Sequence, residues 1–227
     1  VGRNVVEDIA NIELKPTFVS LVDDDAMGEE VIRKLERHKV DTRFMRRVPS
    51  GMGTWLAIFD QDGDVVASIS KRPNHSPIES ILDENGDEIF QDADGIAIEI
   101  DIDKEIVKKV FSYAEKYGKK VYALVSNMTI AIERRDFLRR TACFVCNQQE
   151  VGILFSEDYS HLSAEEMAKC LAGKIRSAHI PQMVVTMGSE GAAYADQEGN
   201  YGVYPAMRVD VVDTTGAGDA FFAGVCV

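Results

Sequence analysis

Residues 95–125 read Gly95-Ile-Ala-Ile-Glu-Ile-Asp-Ile-Asp-Lys-Glu-Ile-Val-Lys-Lys-Val-Phe-Ser-Tyr-Ala-Glu-Lys-Tyr-Gly-Lys-Lys-Val-Tyr-Ala-Leu-Val125. Gly95 to Ile100 is a short apolar run of strand length. Ile106, Val107, Val110, Phe111 and Ala114 then recur at helical spacing, with Asp103 placed to cap the helix and Gly118 to end it. Glu105 and Lys109 predict an i,i+4 pair on its outer face. Val121 to Val125 is a second apolar run. A strand–helix–strand unit of this length has room for the crossover that a parallel pair needs.

The same unit repeats in both directions along the chain. Thr17 to Val22 reads as a buried strand, followed by the acidic loop Asp23-Asp-Asp25 and a helix from Gly28 to His38. Residues 130–140 read as a helix, Cys143 to Val145 as a strand, and Ser163 caps a helix to Ser177 with Glu166 at the capping-box position. Met183 to Met187 is another strand, and a last helix starts near Gly218. The pattern predicts an α/β fold with a mostly parallel central sheet and helices on both faces.

Two hairpins interrupt the alternation. Thr54–Phe59 and Val65–Ser70 flank the turn signal Asp60-Gln-Asp-Gly63, and Ala192–Ala195 and Tyr201–Tyr204 flank Glu198-Gly-Asn200. Residues 1–227 therefore read as one domain carrying a small antiparallel lid at 50–72. Val5, Val6 and Ile9 at one end, and Phe221, Phe222 and Val225 at the other, lie on helical apolar faces already under way. The domain is expected to continue at both ends.

The chain has 227 residues, 45% hydrophobic and 28% charged, with a net charge of −13. This supports a globular core and argues against a nucleic-acid surface built on bulk positive charge. The apolar runs are too short to span a bilayer, and a cytoplasmic home is the expectation. Cys143 and Cys146 have the C-x-x-C spacing of redox or zinc sites. They sit in an apolar strand with no second such pair and no spaced histidines, so the expectation is buried, reduced thiols.

The segment with chemical content is Asp213-Thr-Thr-Gly-Ala-Gly-Asp219, between a strand and an apolar helix. Gly216-Ala217-Gly218 permits a tight turn that presents N–H groups at a helix N-terminus, which suits phosphate oxygens. Asp219 in the first turn would take a proton from an attacking hydroxyl. The alternative is a glycine-rich turn with Asp219 as an ordinary helix-start acid. Neither a Walker A sequence nor G-x-G-x-x-G occurs, which excludes a P-loop enzyme.

Asp-Thr-Thr-Gly-Ala-Gly-Asp-Ala-Phe-Phe-Ala-Gly at 213–224 resembles the C-terminal signature of the ribokinase-like (PfkB) carbohydrate kinases. Four further matches follow in order: Gly2-Arg-Asn-Val-Val-Glu7, the acidic loop of Val22 to Gly28, the N-x-x-E motif Asn147-Gln-Gln-Glu150, and Val185-Thr-Met-Gly188 with Gly191. The resemblance implies an ATP-dependent kinase acting on a hydroxymethyl group of a sugar or nucleoside. It implies Asp219 as catalytic base and Gly216, Ala217 and Gly218 as the anion hole. Asn4 would bind sugar hydroxyls, while Thr186, Gly188 and Gly191 would border the nucleotide. Asn147 and Glu150 would organise Mg²⁺ and phosphates, Glu150 through water. Asp213 and Thr215 match positions that hold a monovalent cation in members activated by potassium. The lid would cover the sugar and join two copies into a homodimer. For Asn147 and Glu150 the residues alone leave a plain capping box open.

The Gly-Arg-Asn-Val-x-Glu wording at 2–7 is closer to pseudouridine kinases than to ribokinases, which points to the 5′-hydroxyl of pseudouridine. The alternatives are a ribose, fructose or keto-deoxy sugar acid kinase, then a purine nucleoside kinase. A non-catalytic sensor on the same fold is the reading from another class.

Overall fold

The computed structural model describes residues 1–59, 65–211 and 213–227. In chain order the elements are α1 (Gly2–Asn11), β1 (Ser20–Asp23), α2 (Ala26–Arg37), β2 (Met45–Val48), β3 (Thr54–Phe59), β4 (Val65–Lys71), α3 (Ser76–Gln91), β5 (Gly95–Glu99), α4 (Lys104–Lys116), β6 (Lys120–Leu124), α5 (Met128–Ala131), α6 (Arg135–Leu138), β7 (Cys143–Asn147), α7 (Gln148–Phe155), α8 (Ala164–Ala178), β8 (Gln182–Thr186), β9 (Ala192–Asp196), β10 (Tyr201–Tyr204) and α9 (Ala217–Val225). They fall into two compact units, residues 1–8 with 87–227, and residues 9–86.

The larger unit is built on a six-stranded sheet of order β10-β9-β8-β7-β6-β5. β5 to β8 are mutually parallel, while at one edge β9 runs antiparallel to β8 and β10 antiparallel to β9. Cys143, Phe144, Val145 and Cys146 are buried in succession, as are Met183, Val184 and Val185. Strands that bury every residue rather than alternate ones are covered on both faces. Among the covering helices, α4 places Ile106, Val107, Val110, Phe111 and Ala114 inward, and Gly118 closes it at φ 64°. Ser163 and Glu166 form the expected capping box at the start of α8.

The smaller unit holds a parallel pair, β1 with β2, and an antiparallel ribbon, β3 with β4. Asp25 caps α2 by accepting from the N–H groups of Met27 and Gly28 at 2.9 and 3.0 Å. The turn expected at Asp60–Gly63 lies outside the described residues.

Several expectations need correction. The helix expected at 130–140 is three short pieces, α5, a 3₁₀ turn at Ile132–Arg134, and α6. Thr129, Ile130 and Ile132 are β-branched and weaken a continuous helix there. The 3₁₀ turn buries Arg134, whose guanidinium points to the Ile102 carbonyl at 3.5 Å. Asp103 makes no side-chain cap bond. Glu105 pairs with Lys108 at 2.6 Å, and the Lys109 charge also helps to hold the Glu105 carboxyl down. The first strand is Ser20–Asp23, displaced toward the acidic loop, with Thr17 in an isolated bridge to Asp41. Two elements carried no readable signal, α3 and β2. In α3 an Asn85-Gly86 pair mimics a turn, yet Gly86 is buried and Asn85 donates to the Ile81 carbonyl at 3.1 Å.

Candidate active site

The loop entering α9 is shaped by its own side chains. Asp213 accepts from the Thr215 N–H at 2.8 Å, and this bond holds the Asp213 carboxyl below the usual carboxylate range. Gly216 is the N-cap at φ 83°, in the left-handed region that favours glycine. The Ala217 N–H is spent on the Thr214 carbonyl at 3.1 Å. The next N–H groups, those of Gly218 and Asp219, have no intrahelical acceptor at a helix start. They face outward with the positive end of the helix dipole behind them.

The orientation of α9 follows from its packing. Phe222 and Ala223 are fully buried, and the Cys226 thiol lies close enough to Cys143 for the two to interact electrostatically. Cys143 opens β7 and Cys226 follows the end of α9, so the C-terminal end of α9 lies near the amino end of β7.

The decisive contact joins the two ends of the chain. The Asn4 amide nitrogen donates to Asp219 Oδ2 at 2.8 Å across 215 residues of sequence. A Cβ added at Gly216 would stand 3.7 Å from the same amide nitrogen. Asn4, Gly216 and Asp219, singled out separately in the sequence, form one cluster.

A second group lies along the strand ends. Asn147 ends β7 directly beside Thr186, which ends β8, in the parallel register. Asn147 and Glu150 do form a reciprocal capping box, each backbone N–H donating to the other's side chain at 2.8 Å. Burial pushes the Glu150 carboxyl above the usual range, the Asn147 N–H opposes this, and the Asp101 charge adds to the rise. Thr186 leads into a 3₁₀ turn, Gly188–Glu190, and back into β9 through Gly191 at φ 100°. A Cβ at Gly191 would lie 2.0 Å from the Tyr204 carbonyl oxygen, so only glycine fits. Gly188, at φ 57°, has open space around it.

Three acids escaped the sequence reading. Asp8, one turn beyond Asn4 on α1, interacts electrostatically with Asp219. Burial first, then the Asp219 and Glu7 charges, raise its carboxyl, with Arg3 opposing. Asp101 is buried after β5 and accepts from the Ser126 N–H and hydroxyl at 3.1 and 3.0 Å. Glu99 accepts from the same hydroxyl at 2.6 Å. The usable signals were the i,i+4 spacing of Asn4 and Asp8, and acids closing a parallel strand.

In the smaller unit the acidic loop meets the segment before the ribbon. Asp23 accepts from the Met52 N–H at 3.1 Å. A Cβ at Gly28 would stand 1.9 Å from the Asp23 carbonyl oxygen, and one at Gly51 2.4 Å from that of Val22. The cysteines are free. Burial pushes the Cys143 thiol up to about 12 and the Cys146 thiol upward as well, which makes both poor nucleophiles. Among the described residues no cluster of His, Cys, Asp and Glu is grouped to hold a metal ion directly, and no helix is long and apolar enough to cross a membrane.

The model of the pfkB family carbohydrate kinases matches residues 1–227. The chain belongs to that family. A guanosine-inosine kinase of Exiguobacterium acetylicum is 29% identical over 226 residues, 99% of this chain and 74% of that protein. The pseudouridine kinase of Escherichia coli K12 is 24% identical over 226 residues, 99% of this chain and 71% of its own length. Arabidopsis thaliana ribokinase, solved with ribose and ATP, superposes with a TM-score of 0.79 at 21% identity, covering 98% of this chain and 71% of the other. The pfkB fold explains the mostly parallel sheet and the small antiparallel ribbon. As a family member the chain is a sugar or nucleoside kinase.

Proposed function

We propose that this pfkB kinase transfers the γ-phosphoryl group of ATP to the 5′-hydroxyl of a nucleoside, with pseudouridine as its acceptor. The observation that carries the reading is the Asn4–Asp219 hydrogen bond, which ties the acceptor-side amide to the candidate base at 2.8 Å. Phosphoryl transfer asks a protein for position, charge neutralisation and one proton acceptor. Asp219 takes the proton of the acceptor hydroxyl as its oxygen bonds to phosphorus. The anion hole is the turn Gly216-Ala217-Gly218; the Ala217 N–H is engaged with the Thr214 carbonyl, so the Gly218 N–H, with that of Asp219 beside it, receives the charge that develops on the transferred group. Asn4 holds the base and meets the sugar.

Thr186, Gly188 and Gly191 border the nucleotide, where the Gly191 turn keeps the backbone close and the edge free of side chains. Asn147 and Glu150 serve Mg²⁺ and the phosphates. Glu150 and Asp101 are two neighbouring acids whose mutual repulsion a hydrated divalent cation would relieve. When bound, Mg²⁺ neutralises phosphate charge. Asp213, kept ionised by the Thr215 N–H, suits a monovalent cation such as potassium. The β3–β4 ribbon exposes Leu56, Ile58 and Ile69 at 60%, 58% and 70%, which suits pairing with a second copy.

A purine nucleoside is the second reading, favoured by the 29% identity to a guanosine-inosine kinase. ADP release with Mg-ATP and pseudouridine, uridine, inosine, guanosine, adenosine, ribose or fructose separates the readings. Selective turnover of pseudouridine supports the proposal, and inosine or guanosine supports the second reading. Turnover of a free sugar refutes nucleoside specificity. Binding of an acceptor without turnover favours a sensor.

A further inference from the structure

The acceptor side of the site carries more negative charge than a single base requires. Asn4 lies on α1 and donates to Asp219 at 2.8 Å. Asp8 is four residues further on, so the α1 face that presents Asn4 also presents Asp8. The Asp8 carboxylate is half-buried and feels the Asp219 charge directly. The cation on that face is Arg3, whose guanidinium is engaged with Glu7 at 2.9 Å. Residues 1–14 contain no other Lys or Arg, and residues 213–227 contain none. Arg3 and Glu7 neutralise one another, so the wall that Asn4 and Asp219 offer to an acceptor carries the net charge of Asp8 and Asp219.

We propose that Asp8 is a specificity-determining residue, its carboxylate making the acceptor side a filter that rejects phosphate- or carboxylate-bearing acceptors and admits neutral sugars and nucleosides. The inference rests on the kinase reading above for the identity of the acceptor. Its physical basis is independent: an anionic group one pentose ring away from Asp8, partly shielded by solvent, meets repulsion of roughly tenfold in affinity.

The test uses matched acceptor pairs, uridine against orotidine and ribose against ribose 1-phosphate, with the full chain and Mg-ATP. In Asp8→Asn the anionic-to-neutral ratio of kcat/KM rises about tenfold at low ionic strength and less at about 0.2 M salt. Asp8→Glu keeps the charge and the discrimination. A merely structural role would lower both members of a pair together and leave the ratio unmoved. A ratio within twofold of wild type in folded Asp8→Asn overturns the proposal. Calorimetric binding of the same pairs without ATP gives a second reading of the ratio. A shifted binding ratio in a protein that transfers no phosphoryl group to pseudouridine, uridine or ribose supports the filter and refutes the kinase reading. Turnover of the neutral acceptors with an unmoved ratio does the reverse. Failure of wild type to bind either neutral acceptor overturns the filter, and turnover of pseudouridine then decides the kinase reading.

Discussion

In Asn4→Ala the amide that donates to Asp219 Oδ2 at 2.8 Å is gone. A hydrogen bond to a charged group contributes about 1.5–3 kcal/mol, the lower end applying where water can replace the donor. Asn4 is half-buried, so water replaces much of it. Alanine also recovers about 0.5 kcal/mol of helix propensity inside α1. Stability should therefore move by no more than about 1 kcal/mol, a shift of roughly 2–4 °C in Tm for a chain of this length. Activity should respond differently. The base loses the contact that fixes its rotamer, and 1.5–3 kcal/mol of positioning corresponds to roughly a 10- to 100-fold fall in kcat/KM. Asn4→Asp should be worse, because it sets a carboxylate against Asp219 with Asp8 already present. The assay is coupled ADP release on each variant, with urea unfolding alongside. A folded Asn4→Ala enzyme keeping kcat/KM within twofold of wild type would refute the reasoning.

Gly188→Ala should cost about 1–2 kcal/mol, because its left-handed φ is strained for alanine while the space is open. Gly191→Ala should cost on the order of 4 kcal/mol or fail to fold, since its Cβ would press on the Tyr204 carbonyl; equal effects in denaturant titrations would contradict this. The Cys143 thiol ionises near 9.0 when unfolded and only at about 12 when folded. The unfolded state therefore holds fewer protons in that window, and stability falls as pH rises through 9 toward 12, by at most about 1.4 kcal/mol per pH unit. Cys143→Ala should flatten that slope between pH 8 and 10 in urea titrations. Ile69→Asp on the exposed ribbon should leave stability within about 0.5 kcal/mol and, if the proposed dimer forms through the ribbon, convert it to a monomer by sedimentation; wild type sedimenting as a monomer, or a variant that sediments as a dimeric wild type does, would refute pairing through the ribbon.

Periodicity made the larger unit legible. Ile106 to Ala114 announced α4, Ser163 and Glu166 announced α8, and the apolar runs at Gly95, Val121, Cys143 and Met183 announced four parallel strands. Where local chemistry and packing disagree, the reading fails. Asn85-Gly86 signals a turn inside α3, and the β-branched run near Ile130 breaks a helix that hydrophobic spacing alone would continue. For the site, Asp219, Gly216 and Asn4 stood out by motif and resemblance. Nothing local said that Asn4 would reach Asp219, because tertiary folding alone brings the chain ends together. Asp8 and Asp101 left only weak signals, an i,i+4 spacing from Asn4 and a place after a parallel strand, which do not name a site until the fold is known. An acid on a helix or after a strand reads as a solvated group until its neighbours are known.

The most direct test of the central claim is the rate of acceptor-dependent ADP release in Asp219→Asn. The substitution keeps shape and burial but removes the proton acceptor. A base contributes roughly 10²- to 10⁴-fold, so kcat should fall by that factor with the fold and ATP binding intact. A folded variant that retains more than about a tenth of the wild-type rate would contradict the assignment of Asp219 as the base.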